Sequence, residues 1–381
     1  MSAAPLLDVE ALSVRYATAD GEVAALSDVS FRVERGEALA IVGESGSGKS
    51  TVALAILGLL GPEATIGSGR ILFSGRDLAR LPASELRRLR GDRLSIVFQD
   101  PFASLNPSLR IGLQLAEPLI HHRAMPRRQA LAKARAALVE VGLPRPEELL
   151  HAYPHQLSGG MQQRLLIAAA LICEPELVIL DEPTTALDVT IEAQILDLLD
   201  MLRRRRKLAM LFISHNLGVV NRICDRICVL YAGSVLEQGP KDLMLGRPLH
   251  PYTQGLLGSV PRLSGGRQAR LTPIAGRFPD LTRLPSGCLF HPRCPHVLQE
   301  CRDDAQLLRP LAGGEVRCWR AGSLPREEQT AAQARAARPE PGPDGELAPA
   351  RQALLSAEHL RKTYPLGRRI RLGGPHWLNL E

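Results

Sequence analysis

The chain has 381 residues, 45% of them hydrophobic and only 4% aromatic, so it exceeds one ordinary domain and must fill its cores with aliphatic side chains. Its 47 Lys and Arg against 40 Asp and Glu leave a formal charge of +7, which is mild for this length and demands neither nucleic acid nor an anionic membrane as partner. Met1 to Pro5 lacks the basic start and apolar run of a secretory leader, and no stretch is long and apolar enough to cross a bilayer; the expectation is a cytoplasmic chain able to dock on a membrane protein.

From Leu7 to Val33 the pattern predicts strands, with Val29, Phe31 and Val33 alternating with polar residues. Ala38 to Val42 is a short apolar run suited to a buried strand, followed by a glycine-rich turn and a helical pattern from Lys49 to Leu59. Arg70 to Phe73 and Leu94 to Phe98 predict further strands, and about Leu113 to Leu171 is mainly helical. There Leu131, Ala134, Leu138 and Val141 share a face ahead of a capping Gly142. Strands return at Leu177 to Leu180, Ala209 to Ile213 and Arg226 to Leu230, separated by helices. The alternation predicts an α/β core with a largely parallel sheet and an inserted helical subdomain. The basic run Arg203 to Lys207 reads as a solvated helix end. After about Gly239, Pro, Gly, Arg and Cys dominate, and from about Pro325 to Pro349 the composition is that of a linker. The stretch Leu6 to Tyr16 is echoed at Leu354 to Tyr364 in the pattern L-L-x-x-E-x-L-x-x-x-Y, suggesting that a second copy of the opening strand begins there.

Three segments carry chemistry. Gly43-Glu44-Ser45-Gly46-Ser47-Gly48-Lys49-Ser50 fits G-x-x-x-x-G-K-[ST] between an apolar strand and a helix. Glycines let backbone N–H groups curl round an anion, and the helix start adds its positive dipole end. Lys49 can then reach the β- and γ-phosphates of a nucleotide, and Ser50 can ligate Mg²⁺; Thr51 continues the same helix start. Leu177 to Leu180 runs into Asp181-Glu182. Adjacent strand side chains face opposite ways, which leaves Asp181 for Mg²⁺ and Glu182 to polarise an attacking water. Ser158-Gly159-Gly160 opens a second anion-binding helix start, although such a segment is also an ordinary N-cap.

In this order, with Gln99 after the phosphate loop, Leu157 to Met161, Ala186-Leu187-Asp188 and finally His215, the motifs of about residues 6 to 240 resemble the ATP-binding cassette family. The resemblance implies a P-loop α/β cassette with a mostly parallel core sheet, an antiparallel β subdomain, an inserted α-helical subdomain and a small cysteine-containing C-terminal extension. It implies that Tyr16 stacks on adenine, that Gln99 touches Mg²⁺ or water and couples to a transmembrane partner, and that His215 holds the γ-phosphate. Ser158, Gly159 and Gly160 would contact ATP held by an opposing cassette. Met161 stands where the family usually has Gln, which leaves the backbone and Ser158 contacts intact. Gln99 to Pro107, His250-Pro251-Tyr252-Thr253 with Gly255-Leu256-Leu257, and Gly287 to Pro295 resemble the dipeptide and oligopeptide importer ATPases, a group that includes nickel and glutathione importers.

The expected organisation is a cassette at 1–240, an extension at 241–323, a linker at 324–353 and an incomplete second cassette at 354–381. The implied partners are two transmembrane permease subunits, a second cassette subunit or domain, and a periplasmic or extracellular substrate-binding protein, with the chain on the cytoplasmic face of the inner membrane and no nucleic acid. A soluble cassette acting on DNA or ribosomes is the first rival; it lacks the peptide-importer blocks. A non-catalytic regulatory cassette is the second, and intact Lys49, Asp181, Glu182 and His215 argue against it. Cys288-x5-Cys294-x6-Cys301-x16-Cys318 can hold a [4Fe–4S] cluster or Zn²⁺, or stay reduced and unligated; spacing does not choose. The subfamily resemblance favours the cluster.

Overall fold

The computed structural model describes residues 4–19, 21–185, 187–259, 273–304 and 306–323, with two short strands at 370–371 and 374–375. Strands β1 (Leu7–Thr18) and β2 (Gly21–Val33) pair antiparallel, Leu7 opposite Val33 and Thr18 opposite Gly21. The wholly buried β3 (Ala38–Val42) turns into α1 (Lys49–Leu57). Then β4 (Ala64–Phe73) and β5 (Arg76–Asp77) complete a four-stranded antiparallel sheet in the order β2-β1-β4-β5. Helix α2 (Ala83–Leu89) leads to β6 (Leu94–Val97). Five helices follow: α3 (Pro101–Ser104), α4 (Ile111–Arg123), α5 (Arg127–Glu140), α6 (Pro146–His151) and α7 (Gly159–Leu171). The chain continues through β7 (Leu177–Asp181), α8 (Val189–Arg206), β8 (Ala209–Ser214), α9 (Leu217–Ile223), β9 (Arg226–Tyr231) and β10 (Ser234–Pro240). Helices α10 (Lys241–Gly246), α11 (Pro251–Gly258) and α12 (Glu300–Asp303) and the short strands β11 (Arg309–Leu311) and β12 (Gly314–Val316) make the extension.

The second sheet has eight strands in the order β11-β12-β10-β9-β3-β8-β7-β6. From β9 to β6 neighbours run parallel; β10, β12 and β11 are added antiparallel. Alternation sends successive residues of β3 to opposite faces. Ala38, Ala40 and Val42 join a core with α4, α5, α7 and α8, while Leu39 and Ile41 join a core with α1 and the antiparallel sheet. Burial on both faces explains why the parallel strands read as unbroken apolar runs. The carboxyl ends of β3, β6, β7 and β8 lie along one edge, the side on which open α/β sheets bind ligands.

Helix α5 shows how local sequence sets the helical layer. Ala130, Ala134 and Leu138 are buried on one face. Gly142, at φ 71°, donates to Val139 O and Leu143 donates to Leu138 O, closing the helix with the pair of bonds that a left-handed terminal glycine permits. The basic run departs from expectation. Arg203 is only 14% exposed and pairs with Asp225 at 2.6 Å, and Arg206 holds Glu140, so a solvated end describes Arg204, Arg205 and Lys207 but not these two.

The sequence pattern missed β5, β10, β11 and β12. The last two have three residues each, too few to show a period, and β10 carries Glu237 buried among its apolar neighbours. Residues 326–381 form a separate unit, in which the described elements are Ile370–Arg371 paired antiparallel with Gly374–Pro375. The predicted linker and the start of a second cassette otherwise lie outside the described residues, as does Ala186.

Candidate functional site

The phosphate loop leaves β3 at Gly43. A Cβ there would sit 2.1 Å from Leu230 O, so only glycine lets the loop pass β9. Gly48, at φ 101°, caps α1 with no side chain of its own, which leaves the first N–H groups of the helix directed at the cavity. Lys49 Nζ donates to Gly43 O and Glu44 O at 2.9 Å each. Burial lowers its pKa, opposed by the charges of Glu182, Asp181 and Glu44.

One cavity brings the predicted residues together. Gly43, Lys49, Ser50, Gln99, Glu182 and His215 all line it, with Glu44, Ser45, Gly46, Gly48 and Thr51 along the loop. Ser50 Oγ donates to Asp181 Oδ1 at 3.3 Å, placing the hydroxyl and carboxylate expected to serve Mg²⁺ side by side. Burial raises the Asp181 pKa, and the neighbouring Glu182 adds to this while the Ser50 bond opposes it. A divalent cation there would relieve the strain of two adjacent acids.

Glu182 follows β7 in a left-handed conformation, φ 47°, and its N–H donates to Ile213 O. That conformation is uncommon for a residue with a side chain and marks an over-determined position. Three groups converge on its carboxylate: His215 Nδ1 at 3.0 Å, Gln99 Nε2 at 3.2 Å and Thr185 Oγ1 at 2.9 Å. Burial works to raise its pKa, but the hydrogen bonds from His215 and Thr185 outweigh it and hold the carboxyl below its ordinary value. An ionised carboxylate at the end of a strand, facing a cationic loop, can align a water for in-line attack on a phosphoryl group. Sequence patterns gave no sign of Thr185.

Not every predicted residue is here. Tyr16 lies half-buried on β1, outside the cavity lining. Ser158, Gly159 and Gly160 start α7 away from the loop. Ser158 occupies the N-cap position of α7, where it is exposed and its hydroxyl makes no cap bond.

The extension reaches the same cavity. Leu256, Ile274 and Leu281 line it. Glu44 N–H donates to Tyr252 Oη at 2.9 Å, and Arg293 grips the Glu44 carboxylate with both terminal nitrogens, at 2.6 and 3.0 Å. Neither contact is expected from the sequence pattern, although both residues lie in the blocks singled out there.

Cys288, Cys294, Cys301 and Cys318, all free thiols, line one small cavity beside Phe290. Cys288 N–H donates to Cys301 O at 2.8 Å. Burial pushes the Cys288 and Cys318 thiols up to about 11, and raises Cys294. Four thiols facing one cavity are the right donor set for a metal centre. Among the described residues, however, no three His, Cys, Asp or Glu groups come together closely enough to hold a metal ion.

Compared with known proteins, residues 26–185 match the ABC transporter family and residues 236–301 the C-terminal region of oligopeptide/dipeptide transporters. The chain is 47% identical over 312 residues to the oligopeptide transport ATP-binding protein OppD of Salmonella typhimurium, covering 82% of this chain and 92% of that one. It is 50% identical over 297 residues to the dipeptide transport ATP-binding protein DppD of Bacillus subtilis, covering 78% and 88%. Among solved structures, a dimeric bacterial ABC transporter cassette matches with TM-score 0.56 and 29% identity, over 62% of this chain and 98% of that one. The same values hold for a post-hydrolysis cassette dimer bound to ADP and Pi.

Proposed function

The chain belongs to the ABC transporter family, and on that premise we propose that it hydrolyses ATP to power an importer of oligopeptides or dipeptides. The observation that carries the ATPase is the single cavity lined by Lys49, Ser50, Gln99, Glu182 and His215. The peptide cargo rests on the C-terminal region at 236–301 and on the relatives that share it.

In this reading the loop amides from Gly43 to Thr51 cradle the phosphates and Lys49 pairs with the β- and γ-phosphates. Ser50, Gln99 and Asp181 would hold Mg²⁺, whose chemistry is to neutralise charge on the transferred phosphoryl. Glu182 accepts the proton of the attacking water, and His215 bears on the γ-phosphate. Tyr16 stacks on the adenine. Ser158, Gly159 and Gly160 serve ATP held by a second cassette, which fits their open position on α7 and the dimeric state of the matched cassettes. Two permease subunits and a substrate-binding protein complete the importer, with the chain at the cytoplasmic face of the inner membrane. No described helix is long and apolar enough to cross a bilayer. We divide the chain into cassette (1–240), extension (241–323), linker (324–353) and the start of a second cassette (354–381).

We propose that the four cysteines hold a [4Fe–4S] cluster, or Zn²⁺ in its place; four free thiols on one cavity support this, and they would have to close in from the spacing they have here. Such a cluster would cross-link a segment poor in regular structure. Iron and sulfide assays on anaerobically purified protein test it, and absence of both sinks it. The function itself is tested by co-expressing the chain with its permease subunits in vesicles and measuring ATP-dependent uptake of labelled peptides. Uptake that survives Lys49→Ala, or transport of nickel or glutathione in preference to peptide, refutes the corresponding part.

A further inference from the structure

We propose that Arg293 and Tyr252, two residues of the extension, position the phosphate loop for nucleotide and so make the extension part of the ATP site; this rests on the reading of the cavity as that site. Glu44 is the second residue of the loop, and the extension holds both of its ends. Its backbone N–H donates to Tyr252 Oη at 2.9 Å, and its carboxylate takes a forked pair from Arg293 at 2.6 and 3.0 Å. These contacts join residues 208 and 249 positions apart in the chain.

The arginine is fixed from every side. Its Nε donates to Ala275 O at 3.0 Å, a terminal nitrogen lies 3.4 Å from Ile274 O, and the other lies 3.4 Å from Tyr231 Oη. Its guanidinium carbon is 5.9 Å from the ring centres of both Tyr231 and Phe290, and its side chain is 5% exposed. Tyr252 belongs to the same aromatic group, 4.6 Å from Tyr231 and 5.3 Å from Phe290. Tyr231 ends β9, whose Leu230 carbonyl abuts Gly43. A loop that must present several N–H groups to one anion gains from such a fixed backing, because geometry set in advance need not be set on binding.

Charge gives Arg293 a second effect. The Glu44 carboxylate acts on Lys49 across the loop, so an unpaired Glu44 would also oppose an incoming triphosphate. The forked pair removes that opposition while keeping the carboxylate as a handle. An asymmetry follows that loss of packing alone would not produce: damage from removing Arg293 is relieved by also neutralising Glu44.

The test is equilibrium binding of a fluorescent ATP analogue to the full chain, with ATPase kinetics of the assembled importer alongside. Arg293→Gln is expected to raise Kd about 5–20-fold, and Tyr252→Phe, which keeps the ring, about 2–5-fold. In both, kcat at saturating ATP stays within about twofold and the loss falls on KM. Adding Glu44→Gln to Arg293→Gln recovers more than half of the loss on a logarithmic scale, and Arg293→Lys lies between parent and Arg293→Gln. An unchanged Kd in Arg293→Gln overturns the proposal, as does a loss that Glu44→Gln fails to relieve. Should Arg293→Gln not fold, an unchanged Kd in Tyr252→Phe overturns it. A parent chain that binds no ATP refutes instead the reading of the cavity.

Discussion

Replacing Glu182 by Gln separates basicity from geometry at this site. Gln99 Nε2 and Thr185 Oγ1 both donate to Glu182 Oε2, and His215 Nδ1 sits at Oε1. A glutamine with its carbonyl at the Oε2 position keeps the first two bonds. Its NH₂ then meets the His215 nitrogen, which can accept in one neutral tautomer. All three contacts survive while the negative charge and the proton acceptor are lost. Removing a positioned general base costs about 10²–10⁴ in rate, or about 3–5 kcal/mol of transition-state stabilisation. The sign for pH follows from the lowered carboxyl. Its contribution to stability is fully present above the unfolded value and is lost as pH falls through the lower folded one. The parent therefore keeps an ionised base through neutral pH, and a rate loss in Glu182→Gln should be equal at pH 6.5 and pH 8. The assay is single-turnover hydrolysis of radiolabelled ATP by the assembled importer, beside nucleotide binding to the chain. Binding at least as tight as the parent's is expected, since a negative charge has left a polyanion site. Turnover within tenfold of the parent would refute the assignment of Glu182 as the base.

Lys49→Ala removes the ammonium now bonded to Gly43 O and Glu44 O, and a charge-assisted bond to phosphate is worth roughly 1.5–3 kcal/mol. Calorimetric titration with Mg-ATP should show affinity falling at least about tenfold, and equal affinity would count against the loop assignment. Gly43→Ala puts a methyl group 2.1 Å from Leu230 O, so either β9 or the loop must move. It should lower the thermal midpoint and abolish nucleotide binding, and a stable, ATP-binding variant would contradict the geometry. Ser158→Ala leaves the cavity untouched, because Ser158 lies outside its lining. It should bind ATP normally as an isolated chain yet fail to associate with a second cassette in ATP-dependent size-exclusion chromatography; normal association would remove Ser158 from the interface.

What the sequence made legible was local. The strand β3, the glycine turn and α1 follow one another without a break, so one window of residues contains the apolar run, the anion-binding turn and the helix. For β7 this holds only as far as Asp181, which ends the apolar run; Glu182 leaves the strand at φ 47°, a backbone turn that strand alternation does not foresee. Gln99 and His215 carry no local pattern strong enough to name them. Resemblance alone names them, and the parallel order of β6, β7 and β8 is what brings them to Glu182. Thr185 had neither pattern nor resemblance to mark it, because a hydroxyl three residues beyond an acid is unremarkable in sequence.

The extension shows why an appended segment is a poor description of residues 241–323. Strand β12 pairs with β10, Glu237 opposite Val316 and Gln238 opposite Glu315, so the central sheet is continued by chain from the far end of the extension. Glu237 itself is buried, and its carboxylate accepts the N–H groups of Leu249 at 2.7 Å and His250 at 3.0 Å. Burial raises its pKa despite those bonds, so the group is held by contacts that only the folded extension supplies. A buried carboxyl stripped of such partners costs several kcal/mol. Truncating the chain after β10 would therefore expose a sheet edge, remove the Leu249 and His250 donors from Glu237 and release Glu44 from Arg293 and Tyr252 together. The cassette and extension are consequently expected to unfold in one cooperative step rather than two, because the residues that join them lie in the sheet and at the phosphate loop, not at a hinge between bodies.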